Sequence, residues 1–303
     1  MESVFLAEHP PIPGYEPVRP LGRNGLIVYL ARQVSNGEEV VLKVACDPWC
    51  ANRLRTCDAQ VLHLDHPHIL RVFAVGEVEG CAYSAVEHVH GTLDDELRNG
   101  PLLATEAPTV AHALALALLY ARGHGMVQLN LAPGSIALTG DGVPKLTDLQ
   151  PVDIVERCDP LRRVAHPAFA APEDLTGGNG LAAAADVYRV GAALYAMLTG
   201  EAPFTGTLLE IVTAVAERRP VPPRELNPAV SEDVEAVCLK CLSKEPECRY
   251  GSLQDLADAL LAAGTPRPAG AARGWMTAAM PTFFRRAWSV FNQRRRRVGD
   301  RLR

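Results

Sequence analysis

The alternation of apolar and polar positions changes character about a third of the way along the chain. Before residue 91, short β-branched runs dominate. Residues 15–21, 25–33, 39–45, 70–75 and 82–88 carry strand patterns, divided by turn residues such as Asn36-Gly37. One stretch, 50–64, interrupts them with Leu54, Val61 and Leu64 at helical spacing. After Gly91 the period lengthens, and residues 109–123, 184–199, 208–217, 231–243 and 253–263 predict helices. Between the first two of these lies a strand-like patch, 135–138 and 144–146, joined by the hairpin signal at 139–142. A β-rich part followed by an α-rich part predicts an α+β chain of two lobes with a cleft between them.

Composition narrows this picture. The 303 residues are 48% hydrophobic and 21% charged, which suits a globular protein of one large or two modest domains. The net charge of −5 is a cancellation. From Gly264 onward there are ten arginines against one acid, Asp300, leaving twenty bases and thirty-four acids before it. Phe284, Trp288 and Phe291 in that basic tail stand at helical spacing beside Arg285, Arg286 and Arg294 to Arg297. Three readings stay open for it: docking on the chain's own helical lobe, an interfacial helix on an anionic membrane, or contact with an acidic partner protein. Nucleic acid is not favoured. The acidic, proline-rich start predicts no secretory leader, and the apolar stretches 109–121 and 181–198 predict no membrane span, the second because it holds Asp186 and Arg189. The expected location is the cytoplasm, at the periphery of the inner membrane face if the tail engages it. The eight cysteines are then expected as reduced thiols. Cys238, Cys241 and Cys248 resemble a metal knuckle, but helical apolar spacing and the lack of a nearby histidine favour packing.

A series of ordered motifs carries a resemblance. The run 21–25 (LGRNG), then 28–32 (VYLAR) and 40–43 (VVLK), is similar to the glycine loop and β3 lysine of protein kinases. His66-Pro67-His68 looks like the entry to the following strand, 127–135 occupies the place of the catalytic loop, and Asp148-Leu149-Gln150 that of the metal-binding Asp-Phe-Gly. Ala171-Pro172-Glu173 matches the Ala-Pro-Glu closing the activation segment, Asp186 lies in the helix after it, and Arg249 falls where an arginine pairs with that glutamate. The similarity is greatest to bacterial serine/threonine kinases. It implies a two-lobed kinase-like fold over 14–264, with a small antiparallel β lobe of about 14–87 holding one helix and a larger mainly α lobe of about 90–264. An arm, 1–13, and the tail, 265–303, flank it.

The resemblance implies an ATP site formed by Gly22, Gly25, Val28, Val41, Lys43, Glu87, Val89, Ala137 and Asp148, with Mg²⁺ on Asp148 and, more weakly, Ser135. It also implies that Asp186 hydrogen-bonds the catalytic-loop backbone and that Glu173 pairs with Arg249. Several parts of the chemistry are replaced. The general base is Asn130, whose amide has no useful basicity, and the loop lysine is Ala132. The glutamate that orients the lysine is Cys57; the adjacent Asp58 can substitute only if its helix rotates, so the orienting pair is expected to be broken. The His-Arg of the loop is Gln128-Leu129, and 148–173 contains no Ser, Thr or Tyr. The expectation is a binding or regulatory pseudokinase with weak ATP binding. The alternative is a slow but active serine/threonine kinase.

Overall fold

The computed structural model describes residues 10–23, 26–157, 164–177 and 181–264. Expectations placed on Gly25, on 1–9 and on the tail 265–303 lie outside the described residues.

The strand-rich third supplies β1 (Tyr15–Arg23), β2 (Ile27–Gln33), β3 (Glu39–Ala45), β4 (Val72–Val78) and β5 (Cys81–Glu87), joined in one antiparallel sheet of order β1-β2-β3-β5-β4. At the Asn36-Gly37 turn Gly37 takes a φ of +73°, which glycine adopts without steric cost. Pleating then sorts β3: Val40, Leu42 and Val44 pack with Tyr29, Ala31 and Ala85 on one face, whereas Val41 and Lys43 face the cleft.

Register also corrects the expectation of reduced thiols. Ala45 of β3 lies opposite Ala82 of β5, so the next residues out, Cys46 and Cys81, meet and form a disulfide with Cα atoms 4.1 Å apart. Compartment reasoning weighs thiols as a class, whereas strand pairing decides which two sulfurs are neighbours. Cys50, Cys57, Cys238, Cys241 and Cys248 are free.

The single helix of this lobe, α1, has three consecutive segments: Pro48–Arg53, a π-helical turn Leu54–Asp58, and Ala59–Val61. Asp47 starts it by accepting the backbone N–H groups of Trp49 and Cys50, each at 3.0 Å.

The second lobe is mainly helical: α2 (Leu93–Leu97), α3 (Ala107–Gly123), α4 (Val152–Glu156), α5 (Pro172–Leu175), α6 (Ala183–Thr199), α7 (Leu208–Glu217), α8 (Pro223–Leu226), α9 (Glu232–Cys241) and α10 (Leu253–Gly264). The short α2, α4, α5 and α8 carry too few turns for a periodic signal. The small strands β6 (Gly91–Thr92), β7 (Met126–Val127), β8 (Ile136–Leu138), β9 (Pro144–Leu146) and β10 (Gln150–Pro151) form one group β6-β8-β9 and one pair β10-β7 beneath the cleft. α6 is buried from Ala185 to Leu198, as an almost wholly apolar helix must be, and α3 and α9 pack on it. α9 comes so close that a Cβ on Gly191 would stand 2.3 Å from that of Cys241. Cys238 and Cys241 are fully buried in this contact and Cys248 is exposed, which gives the first two a packing role. No helix among the described residues is long and apolar enough to cross a membrane.

The charges of α6 are satisfied internally. Arg189 lies 2.6 Å from both Asp174 and Asp186, and Arg122 lies 2.7 Å from the second oxygen of Asp186. Among the described residues Asp186 thus bonds two arginines, Arg189 one helical turn away at i+3 and Arg122 of α3, in place of the expected catalytic-loop backbone. Glu173 and Arg249 form the expected pair, bidentate at 2.7 and 2.9 Å.

His66 and His68 sit where the sheet lobe meets this second lobe. The ring of His66 lies against Tyr120, and its Nδ1 accepts the His68 backbone N–H at 3.2 Å; His68 Nδ1 lies 3.0 Å from the carbonyl of Pro144. Burial pushes both imidazoles down to about 4 and keeps them neutral at pH 7. Unfolding exposes them to protonation near the free value of about 6.5, so stability is full above that pH and falls from there toward pH 4. Replacing both by asparagine should flatten this part of the pH profile by roughly 3 kcal/mol, discounted for the partial exposure of His66. Urea unfolding of both proteins at pH 7 and pH 4.5 measures it, and equal pH slopes would refute the assignment.

Candidate functional site

A cavity of about 420 Å³ opens between the sheet, α1 and the second lobe. Six of the expected residues line it: Val28, Val41, Lys43, Glu87, Val89 and Asp148. Gly22 is instead an exposed residue of β1 opposite Val28. Ala137 is buried in β8 opposite Lys145, and Leu146 of β9 lines the cavity on that side. Arg53, Cys57 and Asp58 of α1 complete one wall.

Lys43 finds a partner after all. Its Nζ lies 3.8 Å from Asp58 Oδ2, which also accepts the Ser84 hydroxyl at 2.5 Å. The expected break in the orienting pair is thus corrected, and the π turn is the reason. An α-helix turns about 100° per residue, which sets Asp58 off the face of Cys57. The wider π turn through Leu54–Asp58 rotates the end of the segment, so Asp58 reaches Lys43 while Cys57 remains at the cavity wall. Burial raises the Cys57 thiol above its ordinary value and keeps it protonated.

Asp148 stands in a left-handed conformation, with φ at +55°, unusual for a residue with a Cβ. Leu149 behind it is buried, and the Gln128 amide donates to the carbonyl of Thr147 before it. The Asp148 carboxylate accepts through Oδ1 from Arg53 Nη2 at 2.7 Å, and its Oδ2 lies 3.1 Å from the Thr147 hydroxyl, whose single proton has a nearer acceptor in the Ser135 carbonyl at 2.9 Å. Glu87 is likewise paired, with Lys145 at 2.9 Å.

The residues in the place of a base and a second metal ligand are turned to structural bonds. Asn130 Oδ1 accepts the backbone N–H of Ala165 at 2.6 Å, tying the loop to the segment before α5. Ser135 Oγ lies 2.8 Å from the carbonyls of Asn130 and Ala132, so its hydroxyl proton is directed into the loop backbone. Ala132 is buried and has no charge to offer. The Mg²⁺ expectation therefore meets a poor fit, since one ligand position bonds the backbone and the other is held by a guanidinium. Among the described residues no group of three or more His, Cys, Asp or Glu side chains is placed to hold a metal. Arg53 and Leu146 are among the lining residues that sequence reasoning missed. Neither lies in a motif, and only the path of α1 and β9 brings them here.

Comparison with known proteins agrees with this geometry. Residues 15–261 match the family model described as protein kinase domain. The chain is similar to the serine/threonine-protein kinase PknB of Mycobacterium leprae, at 29% identity over 265 residues, covering 82% of this chain and 42% of that protein. It is 29% identical to PrkC of Bacillus subtilis over 257 residues, covering 80% of this chain and 39% of PrkC. It is also 32% identical to PknJ of Mycobacterium tuberculosis over 284 residues, covering 87% of this chain and 47% of PknJ. The chain thus spans less than half the length of these curated relatives.

Proposed function

We propose, from the premise that the chain belongs to the protein kinase family, that it is a non-catalytic member whose cleft serves binding and regulation, with weak affinity for ATP. The observation that carries this reading is Asn130. Phosphoryl transfer to a hydroxyl needs a carboxylate to take its proton, and here an amide oxygen is committed to the Ala165 N–H at 2.6 Å. The loss of the loop lysine to Ala132 and the inward bonds of Ser135 point the same way. What the chain retains is architecture: the Glu173–Arg249 pair, the buried ions of α6 and a cavity of about 420 Å³. A cytoplasmic location belongs to this proposal, with the basic aromatic tail meeting an acidic partner protein or an anionic membrane surface.

The second reading is a slow serine/threonine kinase, and the Lys43–Asp58 ion pair speaks for it, because a positioned lysine is part of an active site. One experiment separates the two. The protein is incubated with Mg²⁺ and ATP labelled at the γ- or α-phosphate, alone and with a generic serine-rich acceptor, beside a Lys43→Ala control. No transfer above the control is expected. Label incorporation abolished by Lys43→Ala overturns the non-catalytic reading, and the labelled position tells which group moves.

A further inference from the structure

The ionic side chains of the cleft are matched within the protein. Lys43 faces Asp58, Lys145 holds Glu87, and Arg53 sits on Asp148. The last pair has no counterpart in a site built for a divalent cation, where Asp148 would offer its carboxylate to the metal. Arg53 is placed there by the helix geometry. It is the residue immediately before the π turn, and Asp58 is the last residue within it. Five residues of α-helix would point the two about 140° apart, but π winding, with its i→i+5 bonding, brings them toward one side. Both therefore line the cavity.

We infer that the cleft takes its nucleotide without a divalent cation, with the Arg53 guanidinium holding the position on Asp148 that a metal would occupy. This rests on the nucleotide-binding part of the reading above. A guanidinium carries five N–H donors in a rigid fork. The Asp148 contact uses Nη2, at 2.7 Å, and the remaining donors of this partly exposed side chain serve phosphate oxygens. One arginine then does two tasks of a bridging metal: it neutralises Asp148, and it presents positive charge to the phosphates beside Lys43. The apolar side of the cavity, Val28, Val41, Val86 and Leu146, takes the base.

The test is the dissociation constant of ATP, measured by calorimetry and by thermal shift on the full chain, in excess EDTA and in millimolar Mg²⁺. Wild type, Arg53→Ala and Arg53→Lys are compared. The wild type is expected to bind equally in both conditions. Arg53→Ala should bind about tenfold or more weakly in EDTA and recover in Mg²⁺, because Asp148 is then open to the metal. Arg53→Lys, a point charge without the fork, should fall between the two. Since Arg53 is partly exposed, the melting temperatures without ligand should stay close together and show that all three proteins fold. Binding that strengthens about tenfold on adding Mg²⁺ to the wild type overturns the inference and leaves nucleotide binding standing. Equal affinity of wild type and Arg53→Ala in EDTA also overturns it. No binding of ATP in either condition overturns both the inference and the nucleotide part of the proposed function.

Discussion

Replacing Glu173 by alanine is expected to destabilise the fold by about 3–5 kcal/mol, the cost of leaving a buried charge without its partner. Arg249 is 4% exposed and is held by two contacts to Glu173, at 2.7 and 2.9 Å. Its other donors reach the carbonyls of Ser243, Ala184 and Lys244, and its guanidinium lies 5.0 Å from the Tyr188 ring. Those groups can keep the arginine in place but cannot neutralise it. A second cation adds to the strain. Lys244 donates to the carbonyls of Ala214 and Val215 at the end of α7, and its pKa is pushed down to about 8, by burial first and by Arg249 second. Without Glu173, two positive groups share one buried region with no anion paired to Arg249. The melting temperature should drop by roughly 10 °C for a domain of this size. Glu173→Gln should lose less, since its amide oxygen still accepts one hydrogen bond. Calorimetry and urea titration of both variants check this, and an unchanged Glu173→Ala would mean that the pair carries no weight.

An effect of similar size is expected from Arg189→Met, by the opposite imbalance. Arg189 and Asp186 are each 1% exposed and Asp174 is 9% exposed. Removing the arginine strands the Asp174 carboxylate beside that of Asp186, which keeps only Arg122. Burial already pulls both carboxyls upward against the pull of Arg189, so they must take up protons or water when it is gone. The single variant should accumulate poorly or unfold at a much lower denaturant concentration. Adding Asp174→Asn and Asp186→Asn removes the excess negative charge while keeping acceptors for Ala171 N–H and Arg122, and should recover part of the loss. If the triple variant is no better than Arg189→Met, shape rather than charge sets the stability there.

These networks show where sequence reading ends. The five strands, the Asn36-Gly37 turn and the long helices follow from patterns within a few residues, and the resemblance carried Lys43, Asp148, Glu173 and Arg249 to their places. Arg189 is visible in the sequence only as a charge that argues against a membrane span, and Asp186 only as that and as an expected partner of the catalytic-loop backbone. That they are the centre of a buried network depends on Asp174 and Arg122, distant in the chain. The disulfide needed strand register, since nothing local distinguishes Cys46 and Cys81 from the other six cysteines. Ala137 was placed in the cavity by motif position, but the chain gives that space to Leu146. Asp58 was the most instructive case. Its carboxylate was recognised as able to serve only after a rotation of α1, yet no propensity scale marks where α winding yields to π winding.

That π turn makes the length of α1, as much as its composition, a determinant of the cleft. Its surplus winding is a matter of one residue, so removing one residue from the Leu54–Asp58 stretch would restore an α-helical phase without touching Lys43 or Asp148. Arg53 and Asp58 would then stand at i and i+4, about 40° apart on one face, whereas α winding at the present length would set them about 140° apart and part both ion pairs. A relative whose helix is one residue shorter is therefore expected to present the same two charges to the cleft from an unbroken α-helical face.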